Sequence, residues 1–240
     1  GRVTNGHSGV KSMILYELAG RDDFRFSPFA WRTKMALHHK GVEYESRSVK
    51  FCDRSPIEKS GQERIPVLVD GDTWVHDSWS IAEYLETTFP DQPSLFGGDT
   101  ARAHARFINS WTDMVLNGGV FGLIVRDILD HVHPDDVEFF RSTREARVGK
   151  PLEEAQEGRE ERVAAFRNSL QPLRQTLKSQ KYLGGDAPSY ADYIVFGSLQ
   201  WARCASPFQI LAEDDILFSW FSGQLDLFDG FGRKAPGYPA

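Results

Sequence analysis

The hydrophobic positions in the first fifty residues predict a strand, a helix and a second strand. Residues 13–18 form a short apolar run, typical of a strand buried on both faces. Ser27-Pro28 then opens a helix, because serine is a common cap and proline fits the first helical position; Gly41 ends it. Residues 44–49 alternate weakly between apolar and polar, which predicts a second strand. Two strands joined by one helix predict a right-handed parallel βαβ unit.

A hairpin and another helix follow. Residues 65–69 predict a strand with Pro66 at its start, where a missing amide donor is tolerated and a cis peptide bond is a candidate. The Asp-Gly pair at residues 70–71 predicts a tight turn of the primed hairpin type, and residues 73–75 return antiparallel. Helical spacing of apolar residues begins after the Asp-Ser pair at residues 77–78. This order of elements is the layout of a thioredoxin-like domain.

Beyond residue 100 the pattern predicts helices and no strand. Residues 101–132 are predicted to form one long helix or two, with a break or kink at residues 117–119. The other predicted helices cover residues 135–148, 152–178 with a bend at Pro172, a buried segment after Ser189, and 216–228. Clusters of proline and glycine separate the two regions. We therefore predict a thioredoxin-like domain over residues 13–92, a linker over 93–99 and an all-α domain over 100–240. Residues 1–12 are expected to be a disordered leader or an expression remnant.

The composition and net charge argue against some classes of function. The chain has 240 residues, of which 40% are hydrophobic and 26% charged, and its net charge is −6. This mild acidic excess argues against a nucleic-acid-binding protein, and no apolar run reaches the roughly 18 residues of a membrane span. Cys52 and Cys204 lie far apart and outside metal-binding spacings, which favours a reducing, cytoplasmic location. We expect a small-molecule or protein partner and no metal.

Ser27 is the first candidate for chemistry because of where its helix begins. The start of a helix presents free backbone N–H groups and the positive end of the helix dipole, which favour an anion. A hydroxyl at this point donates to a thiolate or an oxyanion and lowers the pKa of a bound thiol. The same serine is suited to a structural role as the helix cap. The residues alone leave both roles open.

Four short segments follow one another along the chain: Ser27-Pro28, the Arg-Ile-Pro-Val-Leu run at residues 64–68, Asp77-Ser78, and the Ser-Tyr-Ala-Asp box at residues 189–192. In this order and spacing they resemble the glutathione transferase family, and the resemblance extends from residue 13 to residue 233. Three further segments are more narrowly similar to the bacterial β-aryl etherases of lignin breakdown and their etherase-like fungal relatives; these are residues 27–34, 79–85 and 225–230.

The resemblance implies a glutathione transferase fold, Ser27 as the catalytic hydroxyl and glutathione as cosubstrate. It implies these glutathione-binding residues: Ile65 with Pro66 for the cysteinyl part, Asp77 with Ser78 for the γ-glutamyl carboxylate, and Lys59, Gln62 and Arg64 for the glycyl carboxylate. The chemistry agrees, since an exposed strand edge pairs with a peptide backbone and a helix N-terminus binds a carboxylate. A strand start at Pro66 and a helix cap at Asp77-Ser78 are the structural alternatives.

The resemblance also implies a small aromatic substrate, held between the two domains. Seventeen Phe and six Trp favour an aromatic-lined pocket. We expect the substrate to contact Phe26 and Phe29 on one side and Phe107, Trp111 and Val115 on the other. The pocket is expected to be apolar with few fixed charges, and the protein to be a homodimer.

The sequence leaves three candidate functions. The first is a glutathione transferase that attacks aromatic electrophiles, including cleavage of β-aryl ethers to glutathione thioethers. The second is a non-catalytic or weakly catalytic binder of aromatic ligands on the same fold. The third is a dimeric interaction module that does not use glutathione. Turnover, ligand binding and glutathione binding distinguish the three.

Other candidate residues favour structural roles. The His131-Val132-His133 segment has strand-like metal spacing but no evident third ligand, so a solvated helix end is the better interpretation. Cys52 lacks a nearby second cysteine, which argues against disulfide exchange. Cys204 falls in a buried helix and is expected to serve packing.

Overall fold

The amino-terminal half is built on a four-stranded sheet. The computed structural model describes residues 12–240, so the predicted leader at residues 1–12 lies outside the described part except for Ser12. The strands are β1 (Met13–Leu18), β2 (Tyr44–Val49), β3 (Val67–Asp70) and β4 (Thr73–His76). Their order is β2-β1-β3-β4, with β1 parallel to β2 and the other two pairs antiparallel. The predicted βαβ unit and hairpin are both present.

The burial of β1 differs from the prediction of a strand buried on both faces. Leu15 is fully buried, whereas Ile14 and Tyr16 are partly exposed. The two faces of the sheet pack against hydrophobic clusters of different size. Leu15 belongs to the main core, which is shared with the helices, whereas Ile14 and Tyr16 pack on a small cluster that includes Val49 and Ile57.

Two helices complete this half, α1 (Pro28–Lys40) and α2 (Ser78–Thr88). As predicted, Pro28 is the first helical residue of α1 and Gly41 ends the helix with φ of 66°, a left-handed conformation that glycine adopts without a steric penalty. Nearly all of α1 is buried, since it packs against the main core of the first half and against a long helix of the second half.

The start of β3 lies two residues later than predicted. The apolar run suggests a strand over residues 65–69, but β3 begins at Val67, because Pro66 has no N–H to donate to the sheet. The peptide bond between Ile65 and Pro66 is cis, which confirms the candidate. Gly71, in the two-residue turn of the hairpin, has φ of 59°, as a primed turn requires.

The second half is helical. Its helices are α3 (Asp99–Trp111), α4 (Asn117–Ile128), α5 (Val137–Val148), α6 (Leu152–Gln156), α7 (Arg159–Asn168), α8 (Gln171–Ser179), α9 (Tyr190–Ala205) and α10 (Ile216–Lys234). Within the described chain no strand follows β4, as predicted. None of the helices in residues 12–240 combines the length and the apolar character needed to cross a bilayer.

Two predictions for this half are refined by the structure. Of the alternatives for residues 101–132, one continuous helical segment is present and 117–119 is not a break, because a π-helical turn, Thr112–Leu116, joins α3 directly to α4. Gly119 allows close packing, since a Cβ there would lie 2.9 Å from the Phe166 ring. The predicted helix over 152–178 is three helices. Gly158, with φ of 71°, separates α6 from α7, and Pro172 lies in the first turn of α8, where proline is tolerated.

The buried helix α9 begins at the predicted capping box. The Ser189 hydroxyl accepts a hydrogen bond from the N–H of Ala191, and the Asp192 carboxylate accepts one from the N–H of Ser189. Asp192 also accepts from Trp220 Nε1 at 2.9 Å. Burial raises the pKa of Asp192, although these hydrogen bonds oppose the shift. The box fixes the start of the helix that packs on α1.

Candidate functional site

Ser27 occupies the N-cap position of α1 but does not cap the helix with its side chain. Its backbone is extended, with φ of −64° and ψ of 129°, and its carbonyl accepts the first helical hydrogen bond, from Trp31. Within residues 12–240 the Ser27 hydroxyl makes no hydrogen bond, although the residue is only 7% exposed. The structural alternative of a side-chain cap is therefore not realised, and the hydroxyl is free to donate.

A cavity of about 340 Å³ lies beside Ser27. Six of the fifteen residues in its wall are aromatic, and the wall combines residues from both halves of the chain. The lining residues are Leu18, Phe26, Ser27, Pro28, Phe29, Phe51, Asp113, Asn117, Gly118, Phe121, Ile128, Phe140, Arg144, Arg147 and Trp201. The structure thus brings the predicted Ser27, Phe26 and Phe29 together around one space, at a volume suited to a small aromatic ligand.

The buried carboxylate of Asp136 fixes the position of Phe51 in the cavity wall. Asp136 is fully buried and accepts hydrogen bonds from the backbone N–H groups of Phe51 and Cys52, both at 2.9 Å. The Phe51 ring stacks on Phe26 with ring centroids 6.2 Å apart and meets the edge of Phe140 at 5.6 Å. Asp136 therefore ties the loop after β2 to the start of α5, and a continuous aromatic surface results.

The expectation of few fixed charges is wrong, since Asp113, Arg144 and Arg147 line the cavity. Asp113 forms an ion pair with Arg32 at 2.8 Å, and the Arg32 side chain is almost completely buried. The sequence carries one signal for Arg144 and Arg147: they lie three residues apart on an amphipathic helix and so share a face. That spacing is equally typical of a solvated face, and only the packing of α5 beside the loop after β2 places the two arginines at the cavity.

The structure does not bring Phe107, Trp111 and Val115 into the cavity lining. Phe107 is 73% exposed and Val115 is 47% exposed, while Trp111 is half-buried outside the cavity. The reason is the orientation of α3, whose buried face carries Ala105 and Asn109. Residues of the following turns reach the cavity instead; these are Asp113, Asn117, Gly118 and Phe121.

The predicted γ-glutamyl site lies at the start of α2. The Asp77 side chain caps this helix by accepting hydrogen bonds from the N–H and hydroxyl of Ser80, at 2.8 and 3.0 Å. In the described chain the N–H groups of Ser78 and Trp79 find no acceptor. Capping and anion binding are thus compatible here, because the cap uses one N–H and leaves two others free.

The residues predicted for the glycyl carboxylate lie on the loop before Pro66. Lys59 and Arg64 are exposed and form no salt bridge within residues 12–240. The Gln62 side chain is used by its own loop: its Nε2 donates to Ser60 Oγ at 3.1 Å and to the carbonyl of Arg64 at 2.9 Å. Gln62 is therefore less free to bind a ligand than its two neighbours.

The remaining candidates occupy structural positions. The His133 ring accepts a hydrogen bond from the N–H of Asp135, and the described residues contain no group of three or more His, Cys, Asp or Glu that could hold a metal ion. A hydrogen bond with Asp136 raises the pKa of the exposed Cys52, so its thiolate is disfavoured. Cys204 is fully buried, and burial raises its pKa to about 12.

Comparison with known proteins adds to this geometry. The sequence model of the glutathione S-transferase N-terminal domain matches residues 26–88, and that of the glutathione S-transferase C-terminal domain matches residues 103–221. The chain belongs to the glutathione S-transferase family. A curated glutathione S-transferase relative, U28 of Arabidopsis thaliana, is 28% identical over 206 residues, which cover 82% of this chain and 80% of the relative.

Solved glutathione transferases share the whole fold. GSTFuA3 of Phanerochaete chrysosporium is 26% identical with a TM-score of 0.75, and the match covers 94% of each chain. A glutathione S-transferase of Ceriporiopsis subvermispora, solved in complex with glutathione, is 25% identical with a TM-score of 0.75; the match covers 92% of this chain and 98% of the other.

Family membership supports glutathione binding and glutathione transferase activity for this chain. It also agrees with the fold, in which a mixed four-stranded sheet domain precedes a helical domain. The narrower resemblance to β-aryl etherases stays a hypothesis.

Proposed function

We propose that this glutathione transferase transfers glutathione to electrophilic aromatic compounds, with the Ser27 hydroxyl stabilising the glutathione thiolate. The observation that carries the proposal is the free hydroxyl of Ser27, which lies at the start of α1 and lines the aromatic cavity. A donor at that point lowers the pKa of a bound thiol, and the dipole of α1 adds to the effect. The serine donates a hydrogen bond and is not itself the nucleophile.

Glutathione would extend from Ser27 across the first half of the chain. Its cysteinyl backbone would pair with Ile65, at the cis peptide before β3. Its γ-glutamyl carboxylate would accept from the free N–H groups of Ser78 and Trp79 at the start of α2. Lys59 and Arg64 supply exposed positive charges for the glycyl carboxylate.

The aromatic substrate would occupy the cavity between the Phe29, Phe51 and Phe140 rings. In the ether reaction the thiolate sulfur forms a bond to the carbon that carries the aryloxy group, and the C–O bond breaks. The leaving aryloxide takes its electron pair and is protonated by water, so the products are a phenol and a glutathione thioether. Such a displacement needs no metal and no oxidant.

Substitution of Ser27 tests this proposal. We expect Ser27→Ala to lower kcat/KM for glutathione conjugation by about 100-fold, the effect of losing one hydrogen bond to a developing or stabilised anion. The pH at which the rate reaches half its maximum should rise, since the bound thiol loses its donor. Rates with chlorodinitrobenzene and with a β-aryl ether model compound, each measured against pH, provide the data.

The control is Ser110→Ala, which removes an exposed serine hydroxyl on α3 and should leave the rates unchanged. Unchanged activity and an unchanged pH profile in Ser27→Ala would contradict the role of this hydroxyl. Binding of aromatic ligands to the wild type is measured by quenching of its tryptophan fluorescence. If the protein binds these ligands but consumes no glutathione, the enzyme proposal is wrong and the protein is a carrier of aromatic ligands.

We also propose that two copies associate through α3 and the π-helical turn. Phe107, Met114 and Val115 form an exposed apolar stripe there, with exposures of 73%, 82% and 47%. Such a stripe on one helical face is typical of an interface.

A further inference from the structure

The cavity beside Ser27 is lined by two arginines that have no acidic partner among residues 12–240. Arg144 and Arg147 line it from α5, and neither forms a salt bridge in the part of the chain that the structure describes. Arg141, one turn earlier on the same helix, does pair: its guanidinium lies 2.9 Å from Glu145 and 2.6 Å from Glu153. Arg141 is thus neutralised outside the cavity. In the described chain the half-buried Arg144 and the exposed Arg147 have no acidic partner, and both line the cavity.

Both guanidinium groups form cation–π contacts with aromatic rings. The Arg144 guanidinium lies 4.6 Å from the centroid of the Phe140 ring and 5.2 Å from that of Phe51. The Arg147 guanidinium lies 5.9 Å from the centroid of Phe121. These contacts position the charge without using its N–H donors. One guanidinium nitrogen of Arg144 donates a hydrogen bond to the Thr143 hydroxyl at 2.9 Å. The other guanidinium N–H groups of Arg144 have no acceptor in residues 12–240.

The charges that face this pair do not neutralise it. Asp113 lines the same cavity, but it is already paired with the buried Arg32 at 2.8 Å. Burial, together with the positive charges of Arg147 and Arg54, lowers the pKa of Arg144 to about 10, so the group is still protonated at neutral pH. Positive charge therefore accumulates at this end of the cavity, which favours an anionic ligand there.

We infer that Arg144 and Arg147 bind a carboxylate carried by the aromatic substrate, so that the preferred substrates are aromatic acids. This inference rests on the proposed function, because it names the substrate class for the same cavity. A guanidinium donates two parallel hydrogen bonds to a planar carboxylate, which fixes orientation as well as charge. The substrate ring would lie among the phenylalanines with its electrophilic carbon toward Ser27.

A matched pair of substrates tests the inference. One is a chlorodinitrobenzoate with chlorine para to the carboxylate, and the other is its neutral carboxamide of nearly equal size. In both, the thiolate sulfur adds to the carbon bearing chlorine and chloride leaves. We expect Arg144→Gln to lower kcat/KM for the acid by about 10-fold or more, the loss of a charge-assisted hydrogen bond, and for the carboxamide by less than about 3-fold. Arg147→Gln should act in the same direction.

Two further variants test whether the effect depends on the positive charge and on its position in the cavity. Arg144→Lys keeps the charge and should recover part of the preference for the acid. Arg141→Gln removes one positive charge from the same helix outside the cavity and should leave the ratio of the two substrates unchanged. Melting temperatures and the KM for glutathione are measured for every variant, which separates a folding defect or a glutathione contact from substrate recognition.

The outcomes are distinct. Equal losses with acid and carboxamide, or a rise of the glutathione KM with both, would overturn the inference, because the arginines would then support the fold or bind glutathione. If the wild type conjugates neither substrate, the proposed function fails. Direct titration then decides the inference: tighter binding of the acid than of the carboxamide, lost in Arg144→Gln, supports it, and equal binding refutes it.

Discussion

Ser27 and Asp136 occupy equivalent positions, each just before a helix, and neither uses its side chain to cap that helix. The Ser27 hydroxyl lines the cavity and has no hydrogen-bond partner in the described part of the chain, whereas the Asp136 carboxylate accepts from the Phe51 and Cys52 N–H groups. Residue type explains why both positions favour a helix start. It does not say where each oxygen goes, because that depends on the loops that pack nearby.

Asp136 provides a residue-scale prediction. Asp136→Ala leaves the buried N–H of Phe51 and the part-buried N–H of Cys52 without their acceptor, so the free energy of unfolding should fall by about 2–4 kcal/mol. The loop carrying Phe51 should loosen, and the KM for an aromatic substrate should rise. Denaturant unfolding and conjugation kinetics check both effects. The neighbouring Asp135→Ala removes exposed contacts, with Lys50 and with His133, and should cost less than about 1 kcal/mol. Equal losses in the two variants would contradict this account.

Among the elements, the helical segment from α3 to α4 carries apolar residues on two faces. The buried face includes Ala105, Leu116 and Val120, and the other face is the stripe of Phe107, Met114 and Val115. Periodicity predicts a helix in this part of the chain, and the helix is present. It does not distinguish a stripe that faces the cavity from one that faces solvent or a partner, because both have the same spacing.

The stripe allows an element-scale prediction about assembly. If it is the interface between two copies, Phe107→Ser with Met114→Ser should shift the protein from dimer to monomer, since both residues are more than 70% exposed in the isolated chain. Light scattering after gel filtration measures the mass. Phe139→Ser replaces an exposed phenylalanine on α5 and should leave the mass unchanged. A wild-type chain that is monomeric at high concentration would contradict the proposal.

The whole molecule depends on how its two halves are joined. Most of the fold follows from local signals: the βαβ unit, the hairpin with its cis Pro66, and the capping box of α9. The cavity does not, because Ser27, Phe51 and Arg144 meet only through packing of α1 against α9 and of α5 beside the loop after β2. A single sequence carries no signal for those distances.

Glu86 holds the connection between the halves and gives a prediction about pH. It pairs with the fully buried Lys40 at 2.6 Å and accepts from the N–H groups of Leu95 and Phe96. Burial alone would raise its pKa, but these hydrogen bonds and that of Ser94 lower it to about 2. Because the folded pKa lies below the unfolded value of 4.5, the stabilisation is present above pH 4.5 and is lost as pH falls toward 2.

Glu86→Gln should therefore lower the free energy of unfolding by about 3 kcal/mol at pH 7, because the buried Lys40 charge loses its partner. The deficit relative to the wild type should shrink between pH 4.5 and pH 2, where the wild-type carboxylate is itself protonated. Glu83→Gln is the matched control on α2, since Glu83 forms an exposed pair with Arg102. Urea unfolding at several pH values measures the difference. A deficit that stays constant down to pH 2 would mean that the Glu86 charge does not stabilise this junction.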